Sequence, residues 1–161
     1  MKKILYILGI LATSLVAFSC TKDEGSVEGR WNGYEDGSPD SYVVSFFLNE
    51  GNSADIWVIA YGEKYECSYV MNGSNVTFTV NKAWRAEKRS EGSSEYGMAN
   101  GSVTSQETFA LGEGFQWYEL EGDDLARVKQ DVSDTFSLVV ESSTTGHGSA
   151  YGRQLLYAKA K

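Results

Sequence analysis

The chain is 161 residues long, with 14 Lys and Arg against 22 Asp and Glu and a formal net charge of −8. A protein this acidic repels phosphate backbones, which excludes nucleic acid as a partner. Two cysteines and a single histidine supply neither a disulfide framework nor the ligand sets of transition metals, so no metal and no cofactor is expected.

The first residues are Met1-Lys2-Lys3, then an apolar run from Ile4 to Val16 interrupted only by Gly9, Thr13 and Ser14, then Ala17-Phe18-Ser19-Cys20. A basic start, an apolar stretch and small residues before a cleavage point make residues 1–19 a signal peptide. The run is shorter than the roughly 20 apolar residues that a membrane-spanning helix needs. Because it ends on a cysteine, the segment resembles a type II lipoprotein signal, which implies lipidation of Cys20; ordinary cleavage near Ser19 is the alternative. Acyl chains contribute about 0.8 kcal/mol per buried methylene, so several chains on one cysteine anchor a domain without a second apolar segment. Residues 20–26 then form a lipidated tether. Within it, Thr21-Lys22-Asp23-Glu24 resembles the lysine-plus-acid export signals of surface lipoproteins in the Bacteroidota, against the plainer reading of a solvated linker. The expected location is the outer membrane, facing the periplasm or the cell surface.

Losing Lys2 and Lys3 with the signal leaves 12 basic against 22 acidic residues, a net charge of −10. The remaining stretch, 27–161, has the size of one domain. Aromatics at 13%, 17 glycines and one proline combine strand formers with turn residues and point to an all-β fold. Strands are predicted at Gly29–Glu35 and, after the turn Asp36-Gly37-Ser38-Pro39-Asp40, at Tyr42–Leu48, where Tyr42, Val44, Phe46 and Leu48 alternate. The next falls at about 54–61, and then come 65–71 and 76–80 across the turn Asn72-Gly73-Ser74-Asn75. Asn-Gly supplies the positive φ angles of tight hairpins, so this pair is the clearest hairpin in the chain. Its pattern recurs at 115–120, Gly122-Asp123 and Leu125, which predicts a second hairpin in preference to a helix over 123–130. A strand at 135–140, a Ser/Thr/Gly-rich loop through Gly152 and a closing strand at 154–159 complete eight to ten strands in an antiparallel meander. Residues 87–104, rich in Gly, Ser and Glu, read as a long loop or a hairpin tip.

The triplet Gly29-Arg30-Trp31 in the first strand, followed by consecutive aromatic hairpins, resembles the lipocalin-like domains of secreted Bacteroidota lipoproteins over about 27–159. The resemblance implies an eight- to ten-stranded barrel in which Trp31 plugs the closed end. A basic residue of the last strand, Lys159 or Arg153, would lie across its face in a cation–π contact. It also implies a cavity, open at one end, that holds a small apolar or amphipathic ligand. Trp57, Tyr69, Trp84 and Trp117 fall in or beside strands and are the candidates for that cavity or its rim; the plainer reading has them packing a filled core. A two-sheet β-sandwich is the alternative architecture.

Other residues that could carry chemistry have plainer readings. Lys82-Ala83-Trp84-Arg85-Ala86-Glu87-Lys88-Arg89 is a basic patch around an aromatic, better explained as a strand edge protected by charge. Asp36, Ser38 and Asp40 alternate like the start of a calcium loop, but Ser41 and Phe47 stand where an EF-hand needs Gly and Glu. Glu119, Glu121, Asp123 and Asp124 read as a solvated hairpin tip. His147 lies near Ser149 in a Gly-rich stretch with no third group to orient a base, so no catalytic site is assigned. Cys67 alternates with Tyr65, Tyr69 and Met71 as a small buried hydrophobe. The function expected is non-enzymatic binding of a small hydrophobic or amphipathic ligand by a lipid-anchored barrel. The alternative is an accessory subunit of a cell-envelope complex whose surface aromatics contact a protein or a glycan.

Overall fold

The structure is a computed structural model that describes residues 26–35, 42–58, 61–90, 93–96 and 111–161. The expected signal peptide, the expected tether as far as residue 25, the turn at 36–40 and residues 91–92 and 97–104 of the expected long loop lie outside the described residues.

In chain order the elements are β1 (Gly29–Glu35), β2 (Tyr42–Leu48), a 3-10 turn (Glu50–Asn52), β3 (Ser53–Val58), β4 (Glu63–Asn72), β5 (Asn75–Ser90), β6 (Ser93–Tyr96) and β7 (Gln116–Glu119). The helix α1 (Gly122–Thr135) follows, then β8 (Ser137–Val140), β9 (Thr145–Ala150) and β10 (Arg153–Lys159). Eight strands close a barrel in the order β4-β3-β2-β1-β10-β9-β8-β5, with β5 returning to β4. Neighbours are antiparallel throughout. The fold is therefore all-β, as the alternation predicted, and it closes into the barrel that the resemblance implied, so the sandwich alternative falls. The short strands β6 and β7 pair with the C-terminal half of β5 outside this ring.

Period-two alternation fills the interior. Val44, Phe46 and Leu48 of β2, Ala54, Ile56 and Val58 of β3, and Tyr65, Cys67 and Tyr69 of β4 all join one buried cluster. On β5 the inward set is Val76, Phe78 and Val80; the register then shifts opposite Glu66 and Cys67, and the next inward residue is Ala83. Phe46 sits at the centre, its ring 4.7 Å from Phe78 and 5.1 Å from Tyr157. Among the described residues, side chains of one continuous cluster meet in the middle of the barrel.

Three local expectations are corrected. First, the second hairpin is β7 followed by α1. Gly122 does turn the chain, with φ of 54°, but into a helix on which Leu125, Val128 and Val132 recur at helical spacing and the two valines are buried. Asp123 and Asp124 occupy its first turn, where the helix dipole favours negative charge. The helix has a place to fill, because β8 pairs with β5 at Asn75 and Val76 while β7 pairs at Trp84 to Glu87. Between these pairings α1 packs along β5 and covers its edge.

Second, the Ser/Thr/Gly-rich loop contains the strand β9. Its inward positions are Gly146, Gly148 and Ala150, and they are small because no room exists for more. A Cβ on Gly148 would fall 2.0 Å from the Ser137 carbonyl oxygen and 3.1 Å from the Tyr157 ring. Third, the centre of the basic segment 82–89 is no edge: Trp84 and Arg85 pair with both β4 and β7, while Lys88 and Arg89 pair, among the described residues, with β6 alone.

One end of the barrel is sealed by Trp31, which is fully buried and donates from Nε1 to the Val27 carbonyl at 2.8 Å. Lys159 stands opposite in register; its ammonium lies 6.0 Å from the indole centroid and donates to the Ser26 carbonyl at 2.6 Å. Gly29 leaves the path for this side chain, since its φ is 120° and a Cβ there would meet the Lys159 Cε at 2.8 Å. Arg153 is at the other end of β10, paired with Glu35 at 2.9 Å.

Candidate functional site

The far end is built differently. Along β4 the inward positions run Tyr69, Cys67, Tyr65, and the next in the same alternation is Glu63, which is 5% exposed. A buried carboxylate costs several kcal/mol unless it is paired and hydrogen-bonded. Arg85, its cross-strand neighbour on β5, donates from Nε to Oε1 at 2.8 Å. Oε2 accepts from the Tyr65 hydroxyl and, at 3.5 Å, from the Tyr151 hydroxyl. Burial, reinforced by Tyr151 and Glu63, pushes the Tyr65 hydroxyl far above its ordinary range, and burial raises Tyr151 as well. Both phenols therefore stay protonated and donate. Burial works against the Arg85 charge, but the hydrogen bond and charge of Glu63 outweigh it and hold that proton more firmly than usual.

Above this network opens a cavity of about 420 Å³, lined by Tyr61, Glu63, Arg85, Arg127, Asp131 and Tyr151. Its volume falls in the roughly 300–1,000 Å³ range of small-molecule sites. The helix contributes Arg127 and Asp131, one turn apart and joined at 3.1 Å. The other Nη of Arg127 stands 3.8 Å from Glu63, beyond hydrogen-bonding distance. Tyr61, in the β3–β4 connection, is 50% exposed and meets the Tyr151 ring edge-on with centroids 4.9 Å apart. Beside it lies an apolar notch of about 20 Å³ among Val43, Val44, Val58 and Ala150, with space for about one water.

The tryptophans predicted for a cavity do not line this one. Trp57, Trp84 and Trp117 stand on the outer wall, outside the core cluster, and surround Lys64, whose ammonium lies 5.6, 5.1 and 4.9 Å from the three rings. Register explains the grouping: Trp57 faces Lys64, Lys64 faces Trp84, and Trp117 sits opposite the fully buried Ala86, a residue small enough for an indole to lie over. Burial lowers the Lys64 pKa. Tyr69 does point inward, among the core residues, with its hydroxyl donating to the Asn49 carbonyl at 3.4 Å.

The remaining candidates disperse. Arg85 of the basic segment turns to Glu63, while Arg89 stacks on Tyr118 at 3.6 Å and pairs with Glu87. The acidic group splits between β7, the residue before the helix and its first turn, and no cluster fit for a metal is found among the described residues. His147 is exposed and bonded to Glu141 at 2.8 Å, while the Ser149 hydroxyl donates to the Thr135 carbonyl. Cys67 is buried, and burial pushes its thiol well up, which suits an inert core residue. The turn at 36–40 lies outside the described residues.

Tyr61, Glu63, Arg127, Asp131 and Tyr151 were missed as site residues. One signal for Glu63 was present: it shares the inward parity of Tyr65, Cys67 and Tyr69, and a carboxylate at a core position of a strand demands partners. Arg127 and Asp131 were hidden by the hairpin reading of their helix. No known family model, curated protein or solved structure gives a significant match to the chain.

Proposed function

We propose that this chain is an exported, lipid-anchored, non-enzymatic binding protein of lipocalin-like type that takes a small amphipathic ligand at the mouth of its barrel rather than deep inside it. The observation that carries this reading is the 420 Å³ cavity at the end opposite Trp31, where a polar network meets the exposed ring of Tyr61 and a small apolar notch. The filled interior argues against a wholly hydrophobic ligand buried along the axis. A non-enzymatic role is supported by the state of Glu63, whose oxygens are already engaged by Arg85 and two phenols, which leaves it ill placed to accept a proton from a substrate.

Anchoring through Cys20 also sets an orientation. Ser26 is held at the Trp31 end by Lys159, and the six residues from Cys20 reach at most about 20 Å. The sealed end then faces the bilayer and the mouth faces the aqueous side. Native mass spectrometry of the mature chain, purified without denaturation and compared with its denatured mass, tests the reading. A stoichiometric excess that is lost in Arg127→Gln supports it, and a bare mass from its own host counts against it.

A second reading rests on the outer tryptophans: an accessory subunit that presents Trp84 and Trp117, both part-exposed, to an envelope protein or a glycan. Substituting both with alanine would abolish partner capture under that reading and leave mouth binding intact under the first.

A further inference from the structure

The mouth of the barrel, taken as the binding site proposed above, also restricts what kind of small molecule it can hold. Among the described residues four charged side chains line it, Glu63 and Asp131 against Arg85 and Arg127, and their formal charges cancel. Glu63 and Arg85 are committed to each other at 2.8 Å. Arg127 and Asp131 are also paired, but on the surface, with side chains 47% and 37% exposed. They present guanidinium donors beside a carboxylate acceptor, and each retains hydrogen-bonding capacity beyond their mutual contact.

Because these charges cancel, the lining holds no surplus positive charge for an anion, which the domain's negative net charge also repels, and no surplus negative charge for a cation. Among the described residues an alkyl chain finds little room beside the mouth, because core side chains fill the strands' inner faces and the adjoining notch holds about one water. What remains compatible is an uncharged molecule whose hydroxyls both donate and accept, with one apolar face to lie on the exposed ring of Tyr61. We infer that the mouth binds a neutral carbohydrate of one to three sugar units, with Arg127 and Asp131 bonding its hydroxyls and Tyr61 stacking on its C–H face.

Calorimetric titration of the mature protein tests this with a panel of cellobiose, maltose, lactose, glucuronate, decanoate and hexylamine, each at millimolar concentration. A neutral disaccharide should bind, and Tyr61→Ala and Asp131→Asn should each weaken it about tenfold, the effect of removing one stacking ring or one charged hydrogen-bond partner. Leu156→Ser, at an exposed position on the outer wall, should leave the affinity unchanged and controls for folding. Binding of decanoate, hexylamine or glucuronate with the disaccharides silent would overturn the sugar assignment and leave a mouth ligand of another class. Silence across the panel together with a host-derived mass excess overturns the assignment likewise. Silence together with a bare native mass removes the binding reading itself.

Discussion

At one end of the barrel a tryptophan is buried under a lysine that spans from the last strand to the entering chain; at the other a carboxylate is buried under an arginine and two tyrosines, with an open cavity above. Both ends hold charge close to aromatic rings, yet they use it differently. Lys159 is engaged by the Trp31 face and the Ser26 carbonyl, and a Cβ at position 29, where φ is already positive, would press on its Cε. Glu63 is equally engaged, but the helix leaning over it brings a further pair, Arg127 and Asp131, whose side chains remain accessible. The Trp31 end is thus a closure, whereas the Glu63 end is a closure with polar groups left over. Leftover capacity of that kind distinguishes a binding surface from a stabilising one.

The largest effect should come from Trp31→Ala. Removing a fully buried tryptophan costs about 3–5 kcal/mol, measured as a drop in the urea midpoint, and where the variant still folds its mouth should bind as before. Glu63→Gln comes next. It preserves shape but removes the charge facing Arg85, at a cost of about 3 kcal/mol, the lower edge for uncoupling a buried ion pair. A Glu63→Gln protein as stable as the parent would show that the mouth network carries no stability and would blur the contrast between the ends.

Alkaline pH probes the buried phenols. Tyr65 and Tyr157 are each about 98% buried or more, and burial raises both above the ordinary value of 10.0. Below pH 10 the folded and unfolded chains both keep these protons, so their contribution is flat. Above it the unfolded chain ionises first, and stability should fall by about 1.4 kcal/mol per pH unit for each phenol. Chemical denaturation from pH 8 to 12 measures the slope. Tyr65→Phe should make it shallower, locating part of the loss at the mouth; an unchanged slope would place the loss elsewhere.

How far these features were legible in the sequence depends on the range of the force that fixes each one. Alternation in 42–48 and 65–80, and Asn72-Gly73, are local signals of strand and turn, and they gave the all-β class but did not choose between barrel and sandwich. The barrel and its sealed end were implied by a resemblance carried on the triplet Gly29-x-Trp31, which is itself local. The helix at 122–135 was obscured because Gly122-Asp123 is turn chemistry whichever element follows, and what decides for a helix is the gap along β5, a fact of topology. The glycines of β9 looked like a loop because their smallness answers to Ser137 and Tyr157, contacts that no local pattern announces. The mouth was the least visible part, since it joins the start of β4, the middle of β5, one helix face and the β9–β10 turn.

The smallest predicted effect separates the two basic residues of β10. Lys159→Met retains an apolar stem over Trp31 and loses the cation, which should cost about 0.5–1 kcal/mol, near 3 °C in thermal midpoint for a domain of this size. Arg153→Gln removes a surface pair with both side chains about half exposed and should change stability by less than about 0.5 kcal/mol. The double-mutant cycle with Gly29→Ala sharpens this. Alone, that substitution suffers both the positive φ and the collision with Lys159; in a Lys159→Ala background the collision is gone and only the backbone strain remains. Coupling between the two substitutions means that glycine and lysine were selected together to seal the barrel. Strict additivity would mean that Gly29 answers to the backbone alone, and the Trp31 end would then be closed by the indole without help from the charge.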